Sequence, residues 1–253
     1  MAEFVKHNPA APHGFFACEA AGLRWLAAAG GVPCAPVIAC SAASLTLERL
    51  ESAAPTRRAA TAFGAGLAVT HDAGAEAFGA APDGWDGDGF FGPLQHPLPM
   101  SLTAHERWGE FYADERLAPM AERAGPRLTP RGRTAVREVE TLCRAGAFDD
   151  EDEPARLHGD LWSGNVMWTP DGVVLIDPAA HGGHRETDLA MLALFGCPYL
   201  DDVLAGYESV HPLRAGWQTR VGLHQLYPLL AHVALFGAAY TSQTETAAAS
   251  ALG

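Results

Sequence analysis

The densest chemistry in the chain lies between His158 and Asp177. His158-Gly159-Asp160-Leu161-Trp162-Ser163-Gly164-Asn165 leads into the apolar run Val166-Met167-Trp168. A Thr169-Pro170-Asp171-Gly172 turn follows, then a second apolar run, Val173-Val174-Leu175-Ile176, that ends on Asp177. Two strand-like runs around such a turn predict a β-hairpin. With the turn centred near Asp171, the ladder sets Asn165 opposite Asp177, about 5 Å apart at Cα, give or take one residue of register. An amide oxygen and a carboxylate then converge on one hard cation of the magnesium type. Asp160, in the loop ahead of Asn165, can accept or orient the proton of an attacking hydroxyl beside a bound metal–nucleotide.

Asp-x-x-x-x-Asn followed by a strand-terminal Asp is the pattern of a kinase catalytic loop and its magnesium ligand. Such chemistry also needs a cation on the phosphates. Lys6 closes the short strand Glu3-Phe4-Val5-Lys6, and the helix predicted next carries Glu19. Glu19 shares a helix face with Phe15, Leu23 and Leu26. A carboxylate on a mostly apolar face needs a partner, because burying a lone charge is costly. Lys6 is the candidate partner, reaching the α- and β-phosphates while Glu19 holds it in place.

The frame for these residues is read from periodicity and breakers. An alanine-rich helix is predicted over 13–29, stopped by Gly30-Gly31, with strands over 36–40 and 45–50. Helices are predicted over 56–70, 105–124, 131–145 and 215–240, the last with Leu223, Leu226, Leu230 and Val233 at core spacing. The segment 71–103, rich in Gly, Pro and Asp, is long for an idle connection and suggests a functional loop. The acidic run 149–153 reads as a solvated linker, and the Ala-rich ends as compositional bias.

Composition narrows the partners. The 253 residues are 48% hydrophobic and 19% charged, enough for a sizeable core. A net charge of −13 argues against nucleic acid or an anionic membrane, both of which need a basic face. No apolar run approaches a membrane span, and the N-terminus carries no signal pattern. Cys18, Cys34, Cys40, Cys143 and Cys197 are scattered without a CxxC pair, which fits thiols in a reducing cytoplasm.

The sequence resembles the fructosamine kinase (ketosamine-3-kinase) family. The resemblance rests on HGDLWSGN at 158–165, on Ile176-Asp177-Pro178-Ala179, and on Gly183-His184-Arg185-Glu186-Thr187-Asp188-Leu189-Ala190-Met191. It continues at Phe78-Gly79, Trp85, Phe91-Gly92-Pro93 and WGEFYADERL at 108–117, and spans nearly the whole chain from Lys6 to Tyr240. Gly89 stands where the family tends to have Asn. The resemblance implies an α+β, protein-kinase-like two-lobed fold: a reduced N-terminal β lobe over 1–51 and a mainly helical C-terminal lobe over 52–253. Adenine would bind the hinge backbone near Glu48 and Leu50.

The implied activity is ATP- and Mg²⁺-dependent phosphorylation of the 3-hydroxyl of a ketosamine, a small glycated amine or a glycated protein, in a deglycation or repair role. Asp160 would be the catalytic carboxylate, Asn165 and Asp177 the metal ligands, and Asp188 either a brace for the catalytic loop or a group taking part in the chemistry. His184, Arg185 and Trp217 would stand on the substrate side, with Trp162 open to stacking on sugar or amine. Because the sequence opens on the Lys6 strand, the two strands and the Gly-rich loop that precede it in the family are expected to be missing. Two other readings stay open: a sugar- or nucleotide-binding relic, and a same-fold kinase for another hydroxyl such as that of an aminoglycoside.

Overall fold

The computed structural model describes residues 2–253. Strand β1 (Glu3–His7) is followed by α1 (Phe15–Ala27), β2 (Val37–Cys40) and β3 (Ser44–Glu48). The three strands form one antiparallel sheet in the order β1-β3-β2, with Lys6 opposite Leu45 and a bulge between Val37 and Ala39. Alternation turns Leu45 and Leu47 of β3 into the core, where they meet Phe16, Leu23 and Leu26 of α1.

Helix α2 (Arg57–Asp72) starts where Thr56 caps it, the hydroxyl accepting from Ala59 N–H at 3.2 Å. A hairpin of β4 (Gly89–Phe91) and β5 (Leu98–Met100) follows, then α3 (Trp108–Phe111), α4 (Ala118–Ala124) and α5 (Pro130–Arg144). Strand β6 (Ala155–Leu157) pairs with β9 (His181–Gly183), and between them lies the hairpin β7 (Val166–Thr169) and β8 (Gly172–Leu175). Helices α6 (Glu186–Leu194), α7 (Leu200–Glu208), α8 (Trp217–Phe236) and α9 (Thr241–Leu252) complete the chain.

The β7–β8 hairpin is stitched onto the N-terminal part. Ala35 N–H donates to Leu175 O at 2.9 Å and Leu175 N–H to Pro33 O at 2.8 Å, a parallel bridge at Cys34 and Leu175. One apolar cluster therefore joins α1, β3, α2, the hairpin and α7, while a second is built from α3, α5, α8 and α9 with Phe91 and Met100. Helices α2 and α7 approach through glycines: a Cβ at Gly64 would lie 1.8 Å from Val203 O, and one at Gly206 2.0 Å from Thr61 O. Among the described residues, no helix is long and apolar enough to cross a membrane.

Four sequence expectations need correction. The helix read over 105–124 is interrupted: His105 bridges to Phe78, and Tyr112–Leu117 is π-helical. Pro119 has no N–H to return to the Glu115 carbonyl, which accepts from Arg116 Nη1 instead, at 3.1 Å. The 71–103 loop contains the β4–β5 hairpin, hidden because Pro99 sits inside a strand of a two-stranded ribbon. The acidic run is not simply solvated. Asp149 accepts from Gly109 N–H at 2.7 Å and from Arg107, and Asp152 accepts from Arg185 at 2.8 Å. Finally, the Ala-rich C-terminus is a packed helix, α9, that buries Thr244, Ala247 and Ala248. Alanine is the best helix former, and its small side chain lets α9 lie close to α8.

Candidate active site

The hairpin forms with a register one residue from the central expectation. Val166 faces Leu175 and Thr169 faces Gly172, so the turn holds two residues, Pro170 and Asp171. Asn165 then opposes Ile176, whose N–H donates to Asn165 O at 3.1 Å. Asp177 comes back toward Asn165 because its backbone is left-handed, at φ 55°. Asn165 Nδ2 donates to Asp160 O at 2.7 Å, to Asp160 Oδ2 at 3.2 Å and to Asp177 O at 3.4 Å. With the amide nitrogen so occupied, Oδ1 is the atom left for a cation.

Lys6 arrives from the sheet. Its Nζ donates to Glu19 Oε1 at 2.6 Å and to Asp177 Oδ1 at 2.7 Å. Burial pulls the ammonium down, yet the two carboxylates outweigh it and hold Lys6 above its ordinary range. Among the described residues, no side chain pairs with the second Asp177 carboxylate oxygen, and the side chain is 43% exposed. Burial pushes the Asp160 carboxyl up to about 7; Asp177 and Asp188 add to the rise, against the Asn165 hydrogen bond. A carboxylate poised near neutrality can exchange a proton with a hydroxyl.

The loop under Asp160 is braced from below. Asp188, fully buried on α6, accepts from His158 N–H at 2.8 Å, Gly159 N–H at 3.0 Å and His71 Nε2–H at 3.1 Å. Burial works against its charge, but His71, His158 and these N–H bonds hold the carboxyl below the usual range. His158 accepts from Asp160 N–H at Nδ1 (3.2 Å) and donates from Nε2 to Ile176 O (2.9 Å), which ties the loop to the hairpin. Gly159 is left-handed at φ 79°, and a Cβ there would lie 2.1 Å from Ala179 O.

These groups open on a cleft of about 800 Å³. It is lined by Lys6, Glu19, Asp160, Asn165 and Asp177, with Phe90–Gln95 on one side and Phe195, His232, Phe236 and Tyr240 on another. Phe90–Gln95 falls in the 71–103 segment read as a functional loop, whereas sequence reasoning missed the second group. The spacing of His232, Phe236 and Tyr240, four residues each, was a legible signal, but the tail read only as core.

Five other candidates lie outside this lining. Glu48 sits in β3, its N–H donating to Pro36 O at 3.0 Å, and Leu50 packs against the first apolar cluster. Among the described residues, the Leu50 N–H donates to no backbone carbonyl. His184 and Arg185 are buried, turned to Asp150 and Asp152 rather than into the cleft. Trp217 opens α8 after Gly216.

His184, Glu186 and His224 gather within ligand range of one another, yet the arrangement is an ion-pair network and does not fit a metal. His184 Nδ1 accepts from Glu186 N–H at 3.2 Å, so Nε2 carries the proton and faces Asp150. Arg220 clamps Glu186 through two nitrogens.

A small sheet carrying a Lys–Glu pair, set over a helical body with an Asp-x-x-x-x-Asn loop and a hairpin-terminal Asp, defines a protein-kinase-like fold. A choline/ethanolamine kinase family protein from Mesorhizobium loti shares it, at 14% identity and a TM-score of 0.60, over 99% of this chain and 87% of that one. The fructosamine kinase family model matches residues 2–252, and the chain belongs to that family. A candidate fructosamine-3-kinase from Thermobifida fusca is similar at 49% identity and a TM-score of 0.89, over 99% of this chain and 85% of that one. A probable ketoamine kinase of Enterococcus faecium is 33% identical over 250 residues, 96% of this chain and 85% of the relative.

Proposed function

We propose that this protein is an ATP-dependent kinase that phosphorylates the 3-hydroxyl of ketosamines, in a cytoplasmic deglycation or repair role. The observation that carries the reading is the convergence of Lys6, Asp160, Asn165 and Asp177 on one cleft, in a chain of the fructosamine kinase family. Asp160 takes the role of base, orienting the sugar hydroxyl and receiving its proton as the γ-phosphoryl is transferred. Lys6, held by Glu19, lies against the α- and β-phosphates. Adenine lies along the Glu48–Leu50 backbone, where the Leu50 N–H is available to it.

Asn165 Oδ1 and the free Asp177 oxygen are hard donors suited to Mg²⁺ and would hold it. When bound, Mg²⁺ neutralises charge on the phosphates. Asp177 would hold the ion through its second carboxylate oxygen, with Oδ1 paired to Lys6. Once the 3-hydroxyl carries phosphate, the sugar sheds its amine, which accounts for the repair role. This reading gives no role to His184 and Arg185, which are turned to Asp150 and Asp152, or to Trp217 at the start of α8.

The test is ADP release from Mg²⁺-ATP with fructosyl- and ribulosyl-amines. Ketosamine-dependent turnover that falls by about 10³-fold or more in Asp160→Asn supports the assignment. Turnover unchanged in Asp160→Asn would sink it.

A further inference from the structure

The wall that the end of α8 gives to the cleft is aromatic. His232 has ring centroids of Phe195 at 4.8 Å, Tyr240 at 4.9 Å and Phe236 at 5.3 Å, and Phe195 meets Trp162 edge-on at 6.4 Å. Trp162 connects this cluster to Asp160, two residues earlier in the chain. His232 donates from Nδ1 to Pro228 O at 2.7 Å, and burial lowers its pKa, so the ring faces the cleft as a neutral imidazole. Phe236 is 56% exposed, a large apolar surface left open inside a cleft.

Charge makes the wall selective. The lysines and carboxylates lining the cleft are Lys6, Glu19, Asp160 and Asp177, and Lys6 is already held by two of the carboxylates. Among the described residues lining the cleft, no Lys or Arg other than Lys6 is present to pair with an anion, and the chain as a whole carries −13. In a ketosamine the amine sits on C1 and the accepting hydroxyl on C3. A sugar with its 3-hydroxyl at Asp160 therefore carries its amine substituent past the neighbours of Asp160. Aromatic faces bind apolar and cationic groups, whereas a carboxylate here would give up water and gain no counter-charge from the wall.

Resting on the ketosamine-kinase reading, we propose that the Phe195–His232–Phe236–Tyr240 wall binds the amine substituent of the substrate. It selects ketosamines of apolar or aromatic amines over those that carry a free carboxylate.

The fructose conjugates of benzylamine and of glycine share a sugar and differ only in this substituent. Calorimetric binding to the full chain without nucleotide, alongside ADP release, separates the two readings. The benzylamine conjugate is expected to bind about tenfold more tightly, with a correspondingly higher kcat/KM. Phe236→Ala and Tyr240→Ala should each narrow that ratio by at least about threefold, chiefly through KM. Phe236 is 56% exposed, so its truncation leaves the core in place. Equal or tighter binding of the glycine conjugate, binding of neither, or a preference untouched by both substitutions would each overturn the proposal. Absence of ADP release with either conjugate overturns the kinase reading instead, since the binding measurement needs no turnover.

Discussion

Lys6 Nζ and Asp177 Oδ1 lie 2.7 Å apart although 171 residues separate them in the chain. This ion pair joins the N-terminal sheet to the hairpin, and Glu19 completes it on the sheet side at 2.6 Å.

Removing Lys6 should therefore cost stability as well as activity. Lys6→Met leaves Glu19, 7% exposed, without a counter-charge. The expected loss is about 3 kcal/mol in urea unfolding, with kcat down about 100-fold. Lys6→Met combined with Glu19→Leu should recover most of the stability and none of the activity. A double variant as unstable as the single one would show that the buried charge was not the cause.

Asp188 does its work through backbone N–H groups. In Asp188→Asn one amide oxygen replaces two acceptors, and an NH₂ group is turned toward His158 N–H or Gly159 N–H. The fold should lose about 2–4 kcal/mol. Surviving protein should show a lowered kcat with KM for ATP nearly unchanged, because the loop under Asp160 loosens while the nucleotide contacts stay. Steady-state kinetics below the melting temperature read that split.

Acid should lower the stability of the protein over two overlapping pH ranges. Burial lowers His224 to about 4 and His181 to about 3, so both are neutral in the fold at pH 6. The unfolded chain takes up protons near pH 6.5, and stability falls as pH drops from there toward 4, by about 3 kcal/mol through His224 alone. Glu186 extends the slope. Burial opposes its charge, but His224 and Arg220 hold it down at about 2, so its contribution is complete above about 4.5 and lost as pH falls through 2. His224→Gln should flatten the slope between pH 6.5 and 4, measured by urea titrations across that range. An unchanged slope would assign the effect elsewhere.

Gly64→Ala isolates packing from chemistry. Its Cβ would lie 1.8 Å from Val203 O, so α2 and α7 must separate. A loss of about 3 kcal/mol or more is expected in thermal and urea unfolding, with KM for ATP unchanged in the folded fraction.

The reactive centre was legible because its parts are local in sequence. Asp160, Asn165 and Asp177 belong to one loop and one hairpin, and Lys6 and Glu19 to one strand and the helix after it. The register slip arose because the turn uses two residues, and the left-handed backbone at Asp177, which no side-chain pattern announces, brings Asp177 back to Asn165. What was not legible depends on tertiary meetings. His184 and Arg185 are turned to Asp150 and Asp152, more than thirty residues earlier, a meeting that no local pattern announces. Phe90, Phe195 and Phe236 reach the cleft from three distant segments, and no local period links them. Helix α9 escaped notice because its buried face is alanine and threonine, which carry almost no hydrophobic contrast.

The bridge between Cys34 and Leu175 bears on how the chain comes off the ribosome. Leu175 is synthesised about 140 residues after Cys34, a delay of about 7–28 s at translation rates of about 5–20 residues per second. Through that interval the core side of β3 and α1 lacks the hairpin and α7 that later cover it. The nascent N-terminal sheet thus leaves apolar surface uncovered during that interval, and slowing synthesis before the hairpin emerges should lower the yield of native protein.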